Sequence, residues 1–440
     1  MRILEDFFRL KENRTSVKNE FLGGLTTFMT MSYIIFFQPA LLSSVGMDRG
    51  SVMVATCLSS FLATILMGLL ARYPIALAPG MGLNVFFAVT VCGTMGYSWK
   101  VGLGAVFISG VIFVIFSAVG VWKTLVASVP DSIKHAIAVG IGLFLAHVGL
   151  QYGGLVVDEP NVLVTIGDLT TNHAALAVFG IALITLLMGL RVPGAILLGI
   201  IGTALFGIPL KIVSYHGIIS SPPSIMPTFL KLDILGALKT GLFSVIFIFF
   251  LIDLFDTMGT LIGVSAPAGF LKEGKLPRAN RAMLSDAIGT VSGAMLGTST
   301  VTSYIESATG IAQGARTGLA SIFTSFFFLV ALFFSPVAEM IGGEYIHNGL
   351  VLRPVIAPAL IVVGYLMMKC VSFINWEEVT DAVPAFLTII IMPLTLSITE
   401  GISVGFISYS FLKLATGKGK KVHWLIYFFS VLFVIRYFVK

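Results

Sequence analysis

Six of the 21 acidic side chains in this 440-residue chain fall within or at the edge of long apolar runs: Asp253, Asp256, Asp286, Glu306, Glu339 and Glu400. A charge in a bilayer interior costs at least ~2.5–3.5 kcal/mol on insertion scales, so such a residue is a functional candidate by default. Asp256 lies in "FFLIDLFDTMGTLIGV", a run with no Lys or Arg in it. Glu306 follows a series of hydroxyl side chains in "GTSTVTSYIESATG", residues 297–310. A carboxylate can accept two parallel N–H bonds from one planar edge. Kept without a counter-charge in hydrocarbon, it can also take up and release a proton. Asp256 and Glu306 are therefore the functional pair. Asp253, one turn before Asp256, reads as structural. So does Asp286, which follows "NRAMLS" and is placed to cap a helix start or to pair with Arg278 or Arg281. Glu339 and Glu400 stand at run ends, where water reaches them. His135 and His147 are isolated and read as packing or interfacial residues.

The elements that must hold these groups are membrane spans. The chain is 57% hydrophobic and 11% charged, with mean hydropathy +1.00, against about 25% charged residues in a soluble domain. Apolar runs near the ~20 residues that cross a bilayer recur from end to end. Fourteen segments are expected, at 17–42, 51–71, 76–92, 101–122, 133–156, 174–190, 193–210, 236–264, 282–298, 304–314, 317–342, 355–372, 383–398 and 401–416. A fifteenth apolar stretch, 423–438, is left between an interfacial and a spanning position. If the N-terminus is cytoplasmic and the segments alternate, 19 Lys and Arg fall inside and 6 outside, with Arg436 and Lys440 set aside. That asymmetry supports cytoplasmic N- and C-termini. It also accounts for the +6 net charge without nucleic acid. The N-terminal twenty residues are charged and lack a signal-peptide cleavage site. Cys57, Cys92 and Cys370 lie in or beside apolar stretches and offer no disulfide framework or metal site. No cofactor or metal is expected.

The pattern is interrupted near 220–235 by "SSPPSIMPTF". Seven segments precede this linker and seven follow, so the two halves have opposite orientations, as in an inverted repeat. This divides the chain into 1–210, a linker at 211–235, 236–416 and a tail at 417–440. The third segment of each half is abnormal. Segment 3, "ALAPGMGLNVFFAVTV", is opened by Pro79, Gly80 and Gly82 and carries Asn84. Pro lacks an N–H and Gly relaxes the backbone, so a helix begins no earlier than Met81. Segment 10 is preceded by the hydroxyl-rich, β-branched stretch 298–304, which favours extended backbone. Each is expected to be part strand and part short helix, a device that survives at membrane depth only when buried in protein or lining a cavity. Interrupted segments in matching positions of two halves point to a transport site. Carboxylates and hydroxyls without nearby cations suit a neutral or cationic ligand rich in N–H donors. Guanine offers such an edge through N1–H and its 2-amino group, and hypoxanthine offers N1–H alone. An anion would call for positive charge.

Four stretches carry a family resemblance: "APGMGLNVFFA" (78–88), "LFDTMGTLIGV" (254–264), "DAIGTVSGAMLGTSTVTSYIESATGIAQGARTGL" (286–319) and "PAFLTIIIMPLTLSITEGISVGFISY" (384–409). Together they resemble the hypoxanthine/guanine/adenine branch of the nucleobase–cation symporters, the azaguanine-resistance-type permeases, over nearly the whole chain. The resemblance implies an all-α polytopic fold of fourteen segments in a seven-plus-seven inverted repeat. It implies a core domain from segments 1–4 and 8–11 (17–122 and 236–342) and a gate domain from segments 5–7 and 12–14 (133–210 and 355–416). It further implies elevator-like movement, a frequent homodimer, and proton-coupled uptake of purine bases across a bacterial inner membrane. Carried over by residue, Asp256 and Glu306 match the paired acidic substrate residues, and Asn84 matches the polar residue of segment 3. Thr260 stands where some members of the wider superfamily have a histidine, and Gln313 stands where an acidic residue is more frequent. Ser303 and Tyr304 complete the expected substrate contacts, and Asp256 and Glu306 are the expected proton carriers. A pyrimidine symporter and an anion transporter of the same fold are the alternatives. "GTST" at 297–300 has no partner histidine on a convincing neighbouring helix, and an enzyme is not expected.

Overall fold

The computed structural model describes residues 2–120, 128–159, 163–239, 242–265, 268–271, 276–347 and 349–438. The end of segment 4 (121–122), two residues of segment 8 (240–241), and the loop charges Lys123, Lys272, Lys275 and Lys440 lie outside the described residues.

All fourteen segments are present as helical or part-helical elements. Seven helices among the described residues are long and apolar enough to cross a membrane, in segments 1, 2, 4, 5, 6, 8 and 11. The other segments are shorter or less apolar, and several are assembled from pieces. Segments 3 and 10 are as the sequence demands. Segment 3 runs β1 (Leu77–Pro79), a five-residue α-turn Met81–Val85 and a π-helical continuation Phe86–Thr94. Two hairpins stand outside the segments, β2–β3 (Val156–Glu159 with Leu163–Ile166) after segment 5 and β5–β6 (Tyr345–His347 with Leu350–Leu352) after segment 11. Between them in chain order comes β4 (Val301–Ser303), followed by the helix Ser307–Ala312 of segment 10.

Apolar burial cannot drive helices together in lipid, so close packing and polar contacts do. Small residues supply the close packing here. Gly142 of segment 5 and Gly364 of segment 12 meet backbone to backbone. A Cβ on Gly364 would stand 2.4 Å from the Gly142 carbonyl oxygen. Segments 1–4 pack with 8–11, as where Gly110 faces Thr290 and Val291, and segments 5–7 pack with 12–14. These are the core and the gate of a seven-plus-seven inverted repeat. They touch where Gly82 meets Ile141 and Gly194 meets Met29.

The stretch after segment 14 is a helix, Trp424–Phe438. It doubles back antiparallel along the helix Ile398–Ala415. Ser430 bonds Ser410 at 2.7 Å, Phe433 and Phe429 pack on Phe406, and Tyr437 donates to Glu400. Phe429 also lies 4.8 Å from Phe247 of segment 8, ring centre to ring centre. The tail helix therefore touches both bodies.

One acidic residue that the sequence reading passed over ties the core together. Glu20 of segment 1 is fully buried. Its carboxylate accepts from the backbone N–H groups of Arg316 (2.8 Å), Thr317 (3.3 Å) and Ala320 (3.1 Å). It thereby caps the N-terminus of the helix Gly318–Ala331 from another segment, where free N–H groups and the helix dipole favour an anion. Glu20→Ala is expected to lower the stability of the purified protein by about 2 kcal/mol, seen as a fall in its thermal unfolding midpoint. Glu20→Gln retains an acceptor and should lose less.

Candidate functional site

The two interrupted segments meet each other. β1 and β4 pair antiparallel, with Leu77 opposite Ser303, Ala78 opposite Thr302 and Pro79 opposite Val301. The ladder is extended by Gly80 N–H to Thr300 O (2.9 Å) and Tyr304 N–H to Ala76 O (2.9 Å). The turn into β4 is made at Gly297, whose φ of 103° ends the helix Ala279–Leu296. This backbone is buried throughout. Gly80 is required by its neighbour: a Cβ there would stand 2.1 Å from the Thr302 methyl.

Asn84, Asp256, Ser303, Tyr304 and Glu306 lie at or beside this crossing. Asp256 accepts from the Thr302 hydroxyl at 3.0 Å. Glu306, 8% exposed, accepts from the Tyr33 hydroxyl at 2.7 Å. The two carboxylates are close enough to feel each other's charge, and Tyr304 feels both. Tyr304 is buried and donates to the Pro79 carbonyl at 2.6 Å. Asn84 is buried, with its amide N–H on Pro79 O at 3.3 Å and its oxygen accepting from Ser299. Asn84 thus fastens segment 3 to the approach of β4. Thr260 is buried one turn beyond Asp256 and makes no side-chain hydrogen bond among the described residues.

The expected substrate contacts of Ser303 and Tyr304 do not come from their backbone N–H groups, which are not free for a ligand. Ser303 N–H faces the Thr257 hydroxyl at 3.4 Å and Tyr304 N–H is taken by Ala76. A strand at membrane depth spends its donors on its neighbours. The Ser303 hydroxyl, by contrast, is buried with no hydrogen-bond partner.

Asp286 departs from its expected placement. Asp286 neither caps its helix nor meets an arginine. It is fully buried eight residues into Ala279–Leu296 and faces Asp253 and Thr257. Neither of its oxygens reaches hydrogen-bond geometry, nor does Oδ1 of Asp253. The other Asp253 oxygen accepts from Thr290 at 3.0 Å, and the same hydroxyl bonds Val301 on both its N–H (3.1 Å) and C=O (3.0 Å) sides. A second carboxyl pair therefore stands behind β4. No spacing in the sequence joins residues 253 and 286. Only the packing of segments 8 and 9 does.

Segment 1 contributes as well. Gln38 donates to the Thr298 hydroxyl at 2.9 Å and Thr30 meets Thr309 at 3.0 Å. An open cleft of about 780 Å³, between Ser128–Lys134 and Lys420–Trp424, holds none of the site residues. Among the described residues no cluster of three or more His, Cys, Asp or Glu is arranged for a metal.

A strand crossing of two half-helical segments between a core and a gate is a transporter architecture, and comparison with known proteins agrees. The sequence matches the Permease family model Xan_ur_permease over residues 18–404.

The chain belongs to this permease family.

It is similar to the guanine/hypoxanthine permease PbuG of Bacillus subtilis, 44% identical over 99% of this chain and 99% of the relative. It is similar also to the adenine permease AdeP of Escherichia coli, 42% identical over 99% and 96%. Among solved structures, the transmembrane domain of the cyanobacterial bicarbonate transporter BicA shares the fold, with TM-score 0.64 at 16% identity, over 88% of this chain and 96% of that one. This permease is a multi-pass membrane transporter and not an enzyme.

The crossing can be tested by a clash and its relief. Gly80→Ala should lower transport at least ~10-fold, the cost of overpacking by ~1–3 kcal/mol. Adding Thr302→Ser removes the methyl in the way and keeps the hydroxyl on Asp256, so the double variant should recover. Uptake and surface expression of the two variants check this.

Proposed function

We propose that this permease imports purine nucleobases, hypoxanthine and guanine with adenine or xanthine as further candidates, by proton symport across a bacterial inner membrane. The observation that carries the reading is the convergence of Asp256 and Glu306, from segments 8 and 10, on one strand crossing. Two carboxylate acceptors fit the N–H edge of a purine. The named substrates of PbuG and AdeP support the same class. The polar groups that the described residues place around the pair are hydroxyls, an amide and backbone. That suits a neutral base better than an anion, although the fold is shared with a bicarbonate carrier.

In this mechanism Glu306 and Asp256 hold the base by its N–H groups. The remaining Asn84 amide N–H and the orphan Ser303 hydroxyl meet its carbonyl and ring nitrogens. Tyr304 supplies an aromatic face beside them. A proton taken up by one of the two carboxyls, Asp256 in our reading, neutralises the loaded site. A neutral core can slide against the gate without carrying a bare charge through hydrocarbon. Asp253 and Asp286 provide a second place for a proton, since two facing carboxyls in a dry interior do not both stay ionised. The core, 17–122 and 236–342, moves as one body against the gate, 133–210 and 355–416. Both termini are cytoplasmic up to the tail helix, and two copies associate as a homodimer.

Uptake of radiolabelled hypoxanthine, guanine, adenine, xanthine and uracil by cells without their own nucleobase carriers tests the reading. Saturable purine uptake abolished by a protonophore is expected. Uptake of uracil alone, or of none of the bases at normal expression, would sink it. Glu306→Gln should reduce purine uptake by about 10- to 100-fold, the worth of a hydrogen bond to a charged partner. Full activity in that variant would remove Glu306 from the site.

A further inference from the structure

The hydrogen-bond ladder of segment 1 is interrupted where it passes segment 10, while Ser32 and Tyr33 keep right-handed helical dihedrals. Its first helix, Val17–Met31, stops, Ser32 and Tyr33 turn, and a second helix, Ile34–Ser43, begins. The break has a local cause. Thr26 and Thr30 bond back to the carbonyls of Leu22 and Thr26 (both 2.9 Å), and Ser32 to Met29 (3.2 Å). Such back-bonding competes with the helix ladder and bends it. Tyr33 lies at this interruption. Tyr33 is 3% exposed, and its hydroxyl donates to Oε1 of Glu306 at 2.7 Å. Its ring lies 6.4 Å from that of Tyr304, inclined by 39°. Glu306 stands at the N-cap position of its helix, yet its side chain makes no cap hydrogen bond. The carboxylate is oriented by segment 1, not by its own helix.

We propose that Tyr33 is a positioning residue that fixes which oxygen of Glu306 meets the substrate, and so biases which nucleobase edge the site prefers. The proposal rests on the purine reading above. A phenol O–H on a carboxylate is a charge-assisted bond, short and directional. With Oε1 engaged, a ligand N–H is met by Oε2. A single N–H, as in hypoxanthine, is served fully by that oxygen. The paired N1–H and 2-amino edge of guanine must share Oε1 with Tyr33. Removing the phenol hydroxyl frees Oε1 and loosens the side chain. Every base should then bind more weakly, and the base with two donors should lose least.

Tyr33→Phe keeps the ring and its packing and deletes only the hydroxyl. Thr324→Val is the control, because it cuts a different buried tie of segment 1, the Thr324 hydroxyl on the Gly24 carbonyl at 2.9 Å, without touching Tyr33 or Glu306. Each is compared with the unaltered protein in uptake, and in binding of tritiated hypoxanthine and guanine to monodisperse purified protein. For Tyr33→Phe the KM for hypoxanthine should rise about 10-fold, the effect of losing one hydrogen bond to a charged group, with Vmax held within about 2-fold. The KM for guanine should rise less, so the efficiency ratio moves several-fold (about 3- to 5-fold) toward guanine. Thr324→Val should leave both KM values unchanged. Unchanged KM values and ratio in Tyr33→Phe, beside an unaltered protein that transports purines, overturn this proposal alone. The same changes in Thr324→Val overturn it too, since they would trace to packing. An unaltered protein that binds no purine overturns the purine reading and this proposal with it.

Discussion

The rest of this structure depends on a backbone requirement. Peptide N–H and C=O groups in a membrane must find partners, because neither lipid nor water supplies them there. Two segments that cannot be helical throughout satisfy one another by pairing as β1 and β4. The pairing is antiparallel because the two halves of the chain lie in opposite orientations. Three residue pairs make it, and Thr290, Thr64 and Ser307 fill the gaps with hydroxyls. The Thr64 hydroxyl bonds both the N–H and the C=O of Leu77 at 2.9 Å, and the Ser307 hydroxyl accepts from Ala76 N–H at 3.0 Å. The unusual density of Ser and Thr around the site is thus the structural cost of breaking two helices in one place. The return is a small region where side chains from segments 1, 3, 8, 9 and 10 converge.

That convergence makes a site from acids that would be unacceptable singly. Asp256 and Glu306 face the crossing, and Asp253 and Asp286 stand behind it, with β4 and the Thr290 hydroxyl between. Glu20 differs in kind. It is as buried as the others, but three backbone N–H groups meet it. Its charge is spent on holding a helix, and it has no part in exchange. Three backbone N–H groups on Glu20, against a single side-chain hydroxyl on each of Asp256, Glu306 and Asp253, therefore distinguish it from the others more surely than depth does.

Much of this was legible in the chain. Long apolar runs located the segments, and Pro79 and the β-branched hydroxyls of 298–304 marked the broken ones, because these residues violate helix chemistry locally. Asp256 and Glu306 stood out because they are charges in apolar runs. What was hidden depends on distance in the chain. Asp286 sits in a polar helix where an acid is unremarkable, and only its meeting with Asp253 makes it unusual. The break in segment 1 contains neither Gly nor Pro, so Ser32 and Tyr33 carry no punctuation to read. Glu20 looked like one charge among many at a segment start. Asn84 lies at the crossing, where its amide is largely used in fastening segment 3 to residue 299.

The pairing of Leu77 with Ser303 also sets a timetable for synthesis. A ribosome adding ~5–20 residues per second reaches residue 303 on the order of ten to forty seconds after residue 77. Through that interval segment 3 has entered the membrane with an extended stretch whose partner does not yet exist. The first half of the chain must therefore wait in a provisional arrangement, with its strand covered by neighbours or by the insertion machinery. The strand crossing of this permease is then among the last parts of the molecule to form.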